Sequence, residues 1–345
     1  MNDRDSNTPL ALMVGLPDDM MVNVWPRSRN GDLDVSVPGN ARLADDLPQR
    51  EQQRLARTYF GPDIPIQLPA AVRQNAVVNA IADPDVSSAS LRVLEAFLQD
   101  GACACFNHPT AVLECGRERV AEKLSAVPGM LVPRTIRRKI GEPADLLREA
   151  AENGIGYPLI VRIAGSHRGA TTVKIDRPED AAPALRAIPW GGRELYVTEY
   201  VDYRDDDGLF RKMRIIFVGK QRILRHFVIA GDWQVHRGDR LMQHVNEEAT
   251  MLCNFDSTLL PQLRGTLESI AEAMDLDFFG IDCKLRPDGS LLMFETNAMM
   301  NTMYNDAPSP NCWDAPVRRI REAVGALLFE PARWRHPPRR RSIAQ

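Results

Sequence analysis

A chain of 345 residues, 44% hydrophobic and 26% charged, can bury a sizeable core and has the composition of an ordinary globular protein. Its 43 Lys and Arg against 46 Asp and Glu leave a formal net charge of −3, which argues against a dedicated nucleic-acid binder. No run reaches ~18 uninterrupted apolar residues and the start lacks a basic-then-apolar leader, so a cytoplasmic protein with no membrane partner is expected. Cys103, Cys105, Cys115, Cys253, Cys283 and Cys312 form no CxxC pair and no zinc spacing, which predicts free, mostly buried thiols.

Residues 1–8 are polar and expected to be disordered. The apolar run from Leu10 to Val14, closed by Gly15, predicts a first strand, and residues 23–50 are broken by Pro, Gly, Asn and Asp into a loop-rich stretch. A second strand is expected from Ala76 to Ile81, closed by Asp83-Pro84. From Ser90, the stripe of Leu91, Leu94 and Leu98 predicts a helix, and Ala102 to Phe106 a third strand. Strand, helix, strand in this order suggests a small parallel α/β unit.

Arg117 to Leu124 reads as a helix, leading through Val127-Pro-Gly to Pro133. Tyr157 to Ile163 reads as a buried strand that carries Arg162, whose charge needs a partner if it lies inside. It runs into Ala164-Gly165-Ser166-His167-Arg168-Gly169 and a returning strand to Ile175. Two strands joined by a glycine-rich hairpin form a flap whose backbone N–H groups can cover a polyphosphate. A helix is expected over 178–188, then an alternating strand from Arg193 to Val201, then a strand from Phe210 to Gly219 that sets Lys212 and Arg214 on one face. Burying those two is costly unless something anionic faces them. The sheet is expected to continue through His226 and through 232–236. Both His226 and His236 could bind substrate or move protons, though a lone histidine is more often structural. The acidic 246–248 precede a helix starting near Pro261, with Leu263, Leu267, Ile270, Ala271 and Met274 on its buried stripe. A last helix is expected over 316–328, and beyond Pro331 a basic, proline-broken tail that reads as solvated.

The stretch from Asp277 to Thr302 carries the sharpest signal. An apolar run ends in Gly280-Ile-Asp282, Arg286-Pro-Asp-Gly-Ser290 reads as a tight turn, and Ser290 to Phe294 reads as the returning strand. Glu295 and Asn297, two apart, share a strand face, and the turn folds Asp282 beside them. Three oxygen donors of this kind suit Mg²⁺, with Mn²⁺ as an alternative, the shell being completed by water and phosphate. Cys283 should point to the opposite face and pack in the core.

The hairpin, with Asp282 thirteen residues before Glu295 and Asn297 two after it, resembles the metal-binding end of the ATP-grasp ligases, the group of D-alanine:D-alanine ligase, glutathione synthetase and the ribosomal-protein glutamate ligase. The resemblance implies an α+β fold in which two lobes clasp ATP, behind an N-terminal α/β domain. The corresponding divisions are 1–110, a central lobe with the flap over 111–195, a C-terminal lobe with the metal site over 196–330, and the tail over 331–345. It further implies that Arg119, with Arg117 as the alternative, and Arg162 reach the nucleotide phosphates under Gly165, Ser166 and Gly169. Glu199, Tyr200 and Val201 would form the adenine hinge, Asp207 would hold the ribose, and Arg214 would serve an acyl phosphate. The activity implied is ADP-forming ligation of a small-molecule carboxylate to an amine, in a chain that could be a homodimer. A kinase, or a non-catalytic ATP-binding regulator, is the alternative.

Overall fold

The structure, a computed structural model, describes residues 8–27, 32–99, 101, 103–166, 169 and 171–337. The disorder expected for 1–8 therefore concerns residues outside this set, except Thr8, whose carbonyl accepts from Arg73 Nε at 3.1 Å. His167 and Arg168 of the flap, and the tail from 338, also lie outside it.

The first strand is β1 (Leu10–Gly15), buried throughout because it is central in a parallel sheet. The stretch expected to be loop holds an exposed hairpin, β2 (Asn23–Pro26) and β3 (Leu33–Ser36), a short helix α1 (Gln49–Gln52), and then β4 (Leu55–Phe60), which pairs in parallel with β1. On the other side of β1 lie β5 (Ala76–Asn79) and, after helix α2 (Pro84–Phe97), β6 (Ala104–Phe106). Helix α2 begins six residues before the expected Ser90. Asp83 caps it by accepting from the Asp85 amide at 2.8 Å, and Pro84 takes the first helical position, so this pair opens a helix as well as closing a strand.

Helices α3 (Pro109–Leu113) and α4 (Arg117–Ser125) lead to β7 (Met130–Leu131), which pairs in parallel with a strand far downstream. The central sheet follows, built from β8 (Thr135–Lys139), β9 (Leu159–Ile163), β10 (Thr172–Ile175) and β11 (Glu194–Glu199) in the order β10-β9-β11-β8. Helices α5 (Pro143–Glu152) and α6 (Ala181–Arg186) cover one face of it, and their apolar residues make a separate core with Leu159, Val161, Leu195 and Val197.

The third sheet runs β13-β12-β14-β15-β7, with β12 (Phe210–Val218), β13 (Gln221–Ala230), β14 (Phe278–Leu285) and β15 (Leu291–Ala298). Between β13 and β14 come α7 (Val245–Asn254), which contains the acidic 246–248, and α8 (Leu259–Met274). Residues 232–236 leave the sheet instead of extending it. The turn into β15 closes with Gly289 N–H on the Arg286 carbonyl at 2.9 Å, and Gly289 takes a φ of +84°, which suits glycine. Residues of the first and third sheets share one core in which Met13, Val77, Phe217 and Phe279 are fully or nearly fully buried. The last helix, α9 (Asp314–Leu328), packs on the same assembly.

The tail differs from the solvated reading. Trp334 is 3% exposed, packs edge-on to Phe106 and donates its indole N–H to the Leu327 carbonyl at 3.0 Å. Next to it the Arg335 amide donates to Asp277, whose other oxygen accepts from the Asn107 amide at 2.8 Å. Asn107 exchanges two further bonds with the Phe278 backbone, so β6, β14 and Arg335 meet at one buried polar knot.

Candidate active site

A cleft opens between the central sheet and the third sheet. The residue pairing places the charged groups of its floor in one row, because Arg214 faces Asp282 across β12–β14 and Asp282 faces Glu295 across β14–β15. The register shifts immediately after Arg214 in one ladder and after Asp282 in the other. Such bulges re-aim side chains, and here Cys283 turns into the core, as the alternation predicts, and is fully buried.

Two adjacent carboxylates, Asp282 buried and Glu295 at the cleft, would repel one another, and cations relieve them. Arg214 grips Asp282 with Nε at 2.6 Å and Nη2 at 2.8 Å, and Lys212 adds Nζ at 3.0 Å. Burial pushes the Asp282 carboxyl up, but Arg214 and Lys212 outweigh it and hold the group well below the usual carboxylate range. Glu295 meets Arg117 Nη2 at 2.8 Å and accepts from the Asn297 amide. Burial opposes its ionisation, yet Arg117 and Arg162 lower its pKa to about 2. Arg162 itself donates to the Ser166 carbonyl at the start of the flap. His226, opposite Arg214 on β13, is held neutral by burial and by Arg214 and Arg225.

Of the three residues expected to ligate a divalent ion, two stand together at the cleft. Glu295 lines the cleft, and Asn297 stands beside it on the same strand. Asp282 has a side chain only 2% exposed and both oxygens engaged by Arg214 and Lys212, so it stands behind the site as the anchor of those cations. Two oxygen ligands are enough for Mg²⁺ when phosphates supply the rest.

Several other expected positions shift. Arg119 pairs with Glu114 on the exposed side of α4, while Arg117, one side of the helix over, lines the cleft. Asp207 is taken by Arg211 at 2.7 Å, which lowers its pKa to about 2, and is not part of the cleft wall. At the hinge, Glu199, Tyr200 and Val201 all line the cleft, but the Tyr200 amide already donates to the Pro158 carbonyl at 3.1 Å. In the flap, Gly169 lies on the cleft, whereas the Gly165 amide donates to Asp85 at 3.2 Å and the Ser166 hydroxyl to the Ile163 carbonyl at 2.6 Å. The same Asp85 carboxylate accepts the Tyr196 hydroxyl at 2.8 Å and Arg137 at 2.8 Å, pinning the flap's root and the central sheet to the start of α2.

Gln234, Tyr203, Trp233 and Phe294, which sequence reasoning did not place, also face the cleft, together with Lys212 and His236, which it had singled out. Lys212 was singled out by its alternation with Arg214, and Arg117, the alternative to Arg119, could have been preferred from its helical spacing to Val120, Ala121 and Leu124, all buried. Trp233 and Phe294 carried no local signal, since loop and strand assemble them from distant segments.

The sequence matches no family model and no curated protein. Solved structures do resemble the chain. It superposes on the D-alanine-D-alanine ligase from Coxiella burnetii with a TM-score of 0.54 at 10% identity, covering 95% of this chain and 96% of that one. The fold is that of the ATP-grasp ligases. The VanG D-Ala:D-Ser ligase from Enterococcus faecalis gives a TM-score of 0.52 at 11% identity over 93% of this chain and 98% of that one. A carboxyaminoimidazole ribonucleotide synthase from Aspergillus clavatus, complexed with ATP, gives 0.50 at 14% identity over 92% and 78%. In the ATP-grasp fold of this chain the cleft, the flap and the row from Arg214 to Glu295 occupy one continuous region between the two later sheets. Among the described residues no helix is long and apolar enough to cross a membrane.

Proposed function

We propose that the chain is an ADP-forming ligase that activates a small-molecule carboxylate with ATP and joins it to an amine. The observation that carries this reading is the polarity of the cleft. In its lining, Val201, Tyr203, Trp233 and Phe294 belong to one apolar cluster, while Arg117 and Arg162 gather on Glu295 and Lys212 adds a further cation. The apolar cluster suits a purine, stacked or edge-packed against aromatic rings. The cationic group suits phosphates, which bidentate guanidinium groups recognise well. The similar structures, a D-alanine-D-alanine ligase and a carboxyaminoimidazole ribonucleotide synthase complexed with ATP, agree with it.

In this reading Arg117 and Arg162 orient the terminal phosphates, and Glu295 with Asn297 would hold Mg²⁺. The ion would supply charge neutralisation on the β- and γ-oxygens. A carboxylate oxygen of the substrate attacks Pγ, the bond from Pγ to the β-bridging oxygen breaks, and ADP leaves. The amine then attacks the acyl carbon, losing a proton, and phosphate departs. Lys212 and Arg214, fixed by Asp282, place positive charge beside the oxygens on which charge develops. Excluding water under the flap protects the acyl phosphate. Positioning carries the catalysis, with no protein nucleophile required.

The test is a screen of paired carboxylates and amines with ATP and Mg²⁺, reading ADP and free phosphate together. Stoichiometric release of both, dependent on both organic substrates, supports the ligase. Accumulation of a stable phosphorylated product with no free phosphate would make the protein a kinase.

A further inference from the structure

One cleft residue has no role in the scheme above. His236 lies on the segment that follows β13, and its Nε2 is shielded from solvent yet has no hydrogen-bond partner among the described residues. A shielded nitrogen of this kind costs free energy unless something fills it on binding. Its surroundings say what would. Gln234 donates its amide to the carbonyl of Gly169 in the flap at 3.0 Å. A Cβ on Gly169 would sit 2.1 Å from that amide nitrogen and 2.6 Å from His236 Nε2, so the absence of a side chain lets flap backbone rest on the pair. Thr172, just after the flap, offers a second shielded and unpartnered hydroxyl on the same wall. Arg162, Lys212 and Glu295 line the cavity beside them.

Burial, Lys212 and Arg162 all disfavour the charged imidazolium, with Asp239 and Glu295 acting in the other direction, and the net effect is a lowered pKa. A neutral ring adds no charge to an already cationic group. It adds direction, because an N–H of fixed orientation rewards an acceptor at one place only.

We propose that His236 contacts the terminal phosphate of the bound nucleotide directly, donating from Nε2 to an oxygen of that group, while Gln234 holds the flap over it through Gly169. This rests on the ATP-dependent reading of the cleft and deepens it, since it assigns the group that distinguishes a triphosphate from a diphosphate.

The experiment measures, by calorimetry on the full chain with Mg²⁺, the dissociation constants of ADP and of AMP-PNP for the native protein, His236→Ala and His236→Asn, with thermal melts of each. His236→Ala should bind AMP-PNP about tenfold more weakly while ADP affinity stays within about twofold, as loss of one phosphate hydrogen bond predicts. His236→Asn, which keeps a donor, should recover part of the loss. Equal weakening of both nucleotides, or none, overturns the assignment. If His236→Ala does not fold, His236→Asn and His236→Gln decide: unchanged discrimination between the two nucleotides in both overturns it. A native protein that binds neither nucleotide would remove the ATP-dependent reading itself, and this contact with it, whereas native binding with indifferent variants removes only the contact.

Discussion

Arg214 closes on both oxygens of Asp282 across neighbouring strands, at 2.6 and 2.8 Å. A buried pair of this kind is weak net stabilisation when intact and a heavy cost when halved. Asp282→Asn should therefore destabilise the fold by about 3–5 kcal/mol in denaturant titrations, because Arg214 and Lys212 keep their charge without a counter-ion. Replacing Arg214, Lys212 and Asp282 together by apolar residues of similar volume should restore most of that stability while abolishing turnover. If Asp282→Asn folds as well as the native chain, the anchoring role is wrong.

Arg117 and Arg119 make a matched pair on α4. Arg117 faces Glu295 and the cleft, and Arg119 pairs with Glu114 at 53% side-chain exposure. Arg117→Ala should weaken binding of a fluorescent ATP analogue at least about tenfold, whereas Arg119→Ala should leave it within about twofold, as expected for an exposed ion pair.

The flap root offers a test of dynamics. Asp85 collects the Tyr196 hydroxyl, Arg137 and the Gly165 amide. Removing it leaves three donors facing a gap. Asp85→Ala should speed amide hydrogen exchange across 164–169 and cost about 1–3 kcal/mol, the penalty of unsatisfied groups. Exchange rates unchanged in that segment would show that the flap is held elsewhere.

Acid stability gives the fourth test. The Glu295 pKa falls from 4.5 to about 2 on folding, so its ion pair contributes fully above about 4.5 and is lost as the pH falls through about 2. Glu295→Gln should accordingly be less stable than the native chain near neutrality, with the gap closing over that window. A gap that stays constant down to about pH 2 would contradict the depressed pKa.

Much of the site was legible from local pattern. The tight turn at Gly289, the alternation that aims Glu295 and Asn297 together, and the pairing of the two strands that flank the flap are all short-range features, and the structure keeps each one. What escaped was long-range partnership. Nothing near Asp282 in sequence announces Lys212 and Arg214, and nothing near Tyr200 says that its amide belongs to Pro158. Strand β4 was missed because Arg57 and Tyr59 on a half-solvated edge blur its pattern, and β2–β3 because an exposed hairpin needs no buried face. The start of α2 was missed because Asp83-Pro84 serves both to end a strand and to cap a helix.

The knot of Asn107, Asp277 and Arg335 bears on resistance to digestion. Phe106 and the end of β6 are sealed by Trp334, from a stretch of chain far downstream. Until that stretch docks, the first sheet has an aromatic residue uncovered and a polar turn unanswered. A chain shortened to end before Trp334 should therefore be digested by a protease more readily than the full one.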